Sequence, residues 1–231
     1  MSIDCDHRIR EFKKEHGIQK IIAFSGGTSD EIDGIPKDDP IQEKYKIFIN
    51  ELQEKILGEC IGLLRGYQIA VLTGGTKFGV PKTATEIAKK YGLKTIGVYP
   101  LIGKKHVLDS GFLDLDICIE PSFGESQWGD ESPIFAQLLD GVVVYGGGAG
   151  TLIECAHILK MNENLKKKGI PMKYIVPISG TGGVADGLHF IWSKPEVRSM
   201  CIPQVLVLNG LEAAGILRKQ LALNDFIIEE N

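Results

Sequence analysis

The sequence predicts an α/β fold, a doubly wound and mostly parallel Rossmann-like sheet with helices on both faces, built as a single domain over residues 1–231. Three observations carry this. Short apolar runs that do not alternate with polar residues recur along the chain, as expected of strands buried on both faces. Segments with helical periodicity separate these runs, and strand–helix alternation implies parallel pairing through crossovers. Most of the runs also end in glycine, at the corner where a strand gives way to a helix.

The elements follow in order. "KIIAFSGG" (20–27) is the first strand, after a charged N-terminal extension over 1–17. The segment "TSDEIDGIPKDDP" (28–40) is acidic and broken by Gly and Pro, so it reads as a loop insertion at the sheet edge. An amphipathic stretch over 41–65 leads into the strand "YQIAVLTGG" (67–75). "PKTATEIAKKYG" (81–92) has Pro81 in the first helical turn and Gly92 just past the end, and "LKTIGVYP" (93–100) follows as strand. Then come a strand at 115–120, a helix near 131–140, the strand "GVVVYGG" (141–147), a helix near 151–163 and the strand "MKYIVPISG" (172–180). A helix around 185–193, a strand "QVLVLNG" (204–210) and a closing helix over 211–222 complete the pattern.

Composition narrows the function. The net charge of −4 is spread without a basic stripe, which argues against a nucleic-acid surface. The charged start is unlike a signal peptide, and no apolar run approaches the roughly 18 residues of a membrane span, so a cytoplasmic protein is expected. The five cysteines, Cys5, Cys60, Cys118, Cys155 and Cys201, are widely spaced and form no C-x-x-C pair, which predicts reduced, mostly buried thiols and no structural metal.

The chain has 28 glycines, against a usual share of about 7% of residues. Twelve of them fall in four loops that follow strands: Gly26 and Gly27; Gly74, Gly75 and Gly79; Gly146, Gly147, Gly148 and Gly150; Gly180, Gly182 and Gly183. In a parallel sheet all such loops lie at the carboxyl edge, where open α/β folds bind ligands. Backbone N–H groups without a Cβ in the way, together with a helix N-terminus, suit an oxyanion. The candidate phosphate-binding residues are therefore Gly26, Gly27, Thr28, Gly74, Gly75, Thr76, Lys77, Gly147, Gly148, Ala149, Gly150, Thr151, Gly180, Thr181, Gly182 and Gly183. The competing explanation is that strand-to-helix corners are simply tight. It holds well for one loop and poorly for four.

Familiar nucleotide motifs fail. Gly146, Gly148 and Gly150 do not follow G-x-G-x-x-G, and the next strand lacks the acid that grips a ribose. Gly74 and Gly79 have P-loop separation, but Val80 and Pro81 replace the Lys-Ser/Thr pair. No G-x-S-x-G nucleophile elbow occurs.

"TGGTKFGVPKTATEIAKKYG", followed about seventy residues later by "YGGGAGTLIE", resembles the paired GG-x-x-x-G and P-G-G-x-G-T-x-x-E motifs of the LOG-like (SLOG) superfamily. That superfamily includes cytokinin-activating phosphoribohydrolases, often misnamed lysine decarboxylases, and molybdenum cofactor carrier proteins. The resemblance implies a homodimer and a small phosphorylated ligand, either a nucleoside monophosphate or a molybdenum-cofactor-like molecule. It also makes Glu154 the candidate catalytic residue, facing the ribose or assisting cleavage of its N-glycosidic bond. Two departures pull toward binding rather than hydrolysis. Glu131 and Ser132 stand where the hydrolases carry an Arg-Lys pair, and Gly146 replaces the motif's proline. "ISGTGGVADGL" (178–188) looks like the G-T-G-G loop of the carrier-like branch.

Other readings stay open beside these. Thr151-x-x-Glu154 is also a capping box. Glu154-x-x-His157 has metal-ligand spacing but no matching motif elsewhere. Cys155 falls on the apolar face of its helix, "NLKKKG" (164–169) suits a helix C-terminus, and Trp128 and Trp192 suit either base stacking or packing.

Overall fold

The structure, a computed structural model, describes residues 3–27, 35–190 and 194–223. Thr28, residues 28–34 of the expected insertion and Trp192 lie outside the described residues. Six strands, β1 (Lys20–Gly27), β2 (Ile69–Thr73), β3 (Lys94–Pro100), β4 (Leu115–Ile119), β5 (Gly141–Gly146) and β6 (Tyr174–Ile178), form one parallel sheet in the order β4-β3-β2-β1-β5-β6. The helices are α1 (Ile3–Glu15), α2 (Pro40–Leu64), α3 (Gly79–Lys90), α4 (Ser132–Leu138), α5 (Ala149–Lys167), α6 (Gly183–Gly187), α7 (Pro195–Cys201) and α8 (Gly210–Gln220). The fold is Rossmann-like α/β, as the apolar runs predict.

Strand alternation sorts the core into two layers. Ile21 and Ala23 of β1 face one cluster with Phe12 of α1, Phe135 of α4 and Ile158 of α5. Ile22 and Phe24 face the other, with Leu57 and Ile61 of α2, Ala84 of α3 and Leu217 of α8. The sheet is thus covered twice, which is why its strands carry no polar alternation. The 1–17 extension is not a tail: Cys5, Ile9 and Phe12 of α1 are buried against the sheet.

Sheet growth reverses once. From β1 the chain adds β2, β3 and β4 outward, then returns to the other side of β1 with β5 and β6. This sets a topological switch point between β1 and β5, where a crevice opens beyond the strand ends. The register there pairs Gly26 with Tyr145 and Gly27 with Gly146. A Cβ on Gly26 would stand 2.0 Å from the Tyr145 carbonyl oxygen, so only glycine lets the two strands close.

Two sequence expectations need correction. Residues 204–210 are not a strand: Val207 forms an isolated parallel bridge with Ile178, and Val205, Leu206 and Leu208 are exposed. Alternating valine and leucine suit a strand, but Pro203 precedes the segment and Asn209 already caps α8 by accepting the Glu212 N–H at 2.9 Å, so the ladder has no room to extend. The helix expected over 185–193 is the short α6, ending at Gly187.

α8 crosses α2 so closely that a Cβ on Gly210 would meet the Ile56 carbonyl oxygen at 2.0 Å. Gly210→Ala should force the helices apart and cost roughly 1–3 kcal/mol, as overpacked cores do, while Gly215→Ala, with open space around it, should be neutral or stabilising. Urea denaturation of both variants checks this.

Candidate functional site

A cavity of about 280 Å³ opens at the switch point. β1 supplies Ser25, Gly26 and Gly27, the β2–α3 loop supplies Gly74 and Thr76, and the start of α5 supplies Gly148, Gly150 and Thr151. Phe24 of β1, Pro81 of α3, Glu154 of α5, Glu131 before α4, Pro100 and Trp128 complete the wall. The sequence-predicted residues Gly26, Gly27, Gly74, Thr76, Gly148, Gly150, Thr151 and Glu154 therefore meet in one place.

The N-terminus of α5 is built as a donor surface. Its N-cap is Gly148, which offers no side-chain cap. Gly147 donates its N–H to the Gly27 carbonyl at 3.0 Å, whereas among the described residues none accepts from the N–H groups of Gly148, Ala149, Gly150 or Thr151. Orphan amides with the positive end of a 19-residue helix behind them attract anions. The capping box does not form. The helix begins two residues before Thr151, which places Thr151 and Glu154 inside the helix, and Glu154 turns to Ser25 instead.

Ser25 donates its hydroxyl to a Glu154 carboxyl oxygen. Burial pushes the Glu154 carboxyl up to about 8, and the charge of Glu131 adds to this against the lowering effect of the Ser25 bond. Glu131 itself is raised from the ordinary range, first by burial, although it accepts the Gly129 N–H at 2.9 Å. Near neutral pH Glu154 is thus largely protonated, able to donate as well as accept. Among the described residues no Lys or Arg lines this cavity.

The remaining candidates lie elsewhere. Lys77 donates its backbone N–H to the His106 carbonyl at 2.9 Å, and its exposed side chain lines the groove between α2 and α3, beside Lys82 and Glu86. Gly75 is buried beneath Tyr99 and Leu113. Ala149 is exposed at the first position of α5. Gly147, Gly180, Thr181, Gly182 and Gly183 line a second cavity, of about 520 Å³, on the side of α2. There the Asp186 carboxylate accepts the N–H groups of Gly180 at 2.6 Å and Gly182 at 2.9 Å, so an internal anion already occupies those amides. Gly183, at φ +54° with the Gly147 carbonyl oxygen 2.2 Å from an added Cβ, closes this loop onto the β5 corner.

Sequence reasoning missed Ser25 and the carboxyl pairing of Glu131 with Glu154. A serine immediately before the glycines of β1 was a usable signal; the approach of Glu131 depends on how α4 packs and left none. Trp128, half exposed, lies nearly parallel to the His106 ring with centroids 6.2 Å apart and lines the cavity. Four of the five cysteines are buried and the fifth, Cys118, is partly so, with no disulfide among them.

Fold and site together define a Rossmann-like α/β protein with its crevice at the switch point. Residues 50–167 match the SLOG cluster4 family, about half of the chain, and the chain belongs to that family, in line with its glycine motifs. No curated protein matches it. Among solved structures it is similar to the molybdenum cofactor carrier protein of Chlamydomonas reinhardtii, with 22% identity and a TM-score of 0.57 over 88% of this chain and 99% of that one. The molybdenum cofactor binding protein of Rippkaea orientalis is similar at 22% identity and a TM-score of 0.55, covering 88% and 98%. A structural-genomics target, TM1055, gives 18% and 0.58, covering 87% and 99%. These likenesses show a common fold.

The protonated Glu154 has a consequence for stability. From an ordinary value of 4.5 to the folded value of about 8, the folded state holds a proton that the unfolded chain has lost. Stability therefore falls as pH rises from 5 to 8, by up to about 1.4 kcal/mol per pH unit, and flattens above. Glu154→Gln should remove most of that slope while matching wild type near pH 5. Urea denaturation at four pH values tests this, and parallel profiles would refute it.

Proposed function

We propose that this protein binds a small phosphorylated ligand, a nucleoside monophosphate or a phosphorylated cofactor, with its phosphate on the amides at the start of α5. One observation carries the reading: at the switch point, orphan N–H groups of a long helix face a cavity whose other wall is carboxyl. The donor end suits an anion, and Glu131 and Glu154 suit the N–H and hydroxyl groups of a heterocycle and sugar. Two proteins of similar fold are named for carrying or binding the molybdenum cofactor, which supports a cofactor of that kind as cargo. Trp128 offers a stacking face to the ring.

Binding is favoured over turnover because the wall holds no cation, among the described residues, to stabilise departing charge. The runner-up, N-glycosidic hydrolysis of a nucleoside 5′-monophosphate, draws support from the carboxyl pair, since two acids of unequal affinity for protons are what glycosidic cleavage employs. Release of free base from AMP at a rate near the enzyme median of ~10 s⁻¹ would decide for the hydrolase.

Space around Gly148 is open, and its backbone has an ordinary negative φ. Gly148→Val should therefore fold, melting only slightly below wild type because valine is a poorer N-cap than glycine, yet lose phosphate-ligand affinity by at least about tenfold, near 1.4 kcal/mol, because the branched side chain covers the amides. Calorimetric titration with AMP and GMP beside thermal melts measures both; equal loss of stability and binding would make the glycine structural.

A further inference from the structure

We infer that the ligand is two-headed, a phosphate-bridged molecule whose second, uncharged ring system occupies the chamber walled by Tyr45. This rests on the phosphate-binding reading above and adds the other half of the ligand. The two cavities at the switch point are neighbours, since Gly27 and Gly148 line both. The carboxyl chamber, at about 280 Å³, falls just below the roughly 300–1,000 Å³ usual for small-molecule sites. The other, at about 520 Å³, lies between α2 and the ends of β5 and β6. The first cavity reaches from Glu154 to Phe24, and Phe24 shares a core layer with Tyr145 on the wall of the second. A phosphate on the amides at Gly148, which lines both cavities, thus has space on either hand.

The walls of the second chamber say what enters it. Tyr45, Ile49 and Leu52 of α2 form one side and Tyr145 the floor, an aromatic and aliphatic lining that favours a flat ring. The Gly180 and Gly182 amides offer no phosphate seat inside this chamber, because Asp186 already holds them and brings its own negative charge. The bridging phosphates therefore stay at the shared α5 edge, and the group that enters the second chamber is neutral. A mononucleotide fills only the carboxyl side; a dinucleotide bridged 5′ to 5′ by a diphosphate reaches both.

The test is calorimetric titration of the full chain with AMP and GMP and with diadenosine and diguanosine 5′,5′-diphosphate. A bridged dinucleotide should bind at least tenfold more tightly than its mononucleotide. Tyr45→Ala should erase that gain with mononucleotide affinity unchanged, and Tyr45→Phe should keep it, since the ring supplies the contact. Equal affinities for the two ligand classes, or a Tyr45→Ala loss shared by AMP and GMP, would overturn the two-headed ligand while leaving the phosphate seat standing. Failure of all four probes to bind would overturn the phosphate seat and the inference with it.

Discussion

The pairing of β1 with β5 is the contact on which the rest depends. Before it, the chain has built four of the six strands; after it, the two wings share a central strand and a crevice exists. Closing the pair needs a glycine opposite Tyr145, because any side chain at position 26 would run into a backbone oxygen. The same closure brings Ser25 to Glu154 across 129 residues of sequence, shielding that carboxyl from water and raising its affinity for a proton. Topology, a steric requirement and an acid–base property thus have one origin.

Much of the fold was legible because strands buried on both faces read as short unalternated apolar runs bounded by turn residues. β1, β2, β3, β5 and β6 each coincide with an unalternated apolar run, and Pro81 and Gly92 bracket α3 as their backbone preferences demand. The segment at 204–210 shows the limit. Its residues have strand character, but a ladder also needs a partner along its whole length, and β6 offers one only at Ile178. Propensity is local, whereas pairing is not.

The site was legible in outline and not in polarity. Glycines reported where backbone approaches backbone, so the corner at β1, β5 and α5 could be anticipated. They could not distinguish an amide left open from one already satisfied, as the contrast between the starts of α5 and α6 makes plain. Lys77 lies in the same glycine loop as Thr76, yet its side chain lines the groove between α2 and α3, and spacing alone does not say which side of a loop a side chain takes. Thr151 and Glu154 had capping-box spacing, but a glycine N-cap three residues before Thr151 moved both into the helix.

The bond pattern of Asp186 bears on how this corner behaves when empty. Loops that cradle anions are commonly held in shape by the anion and slacken without it, so each arrival must freeze the chain again. Here a resident carboxylate does that holding from within the same turn, and Gly183 is pressed against the β5 corner whatever lies beyond. The conformational entropy of the loop is lost once, on folding, and is not charged against each association. The shape of this corner is thus written into the chain itself rather than lent by whatever it meets.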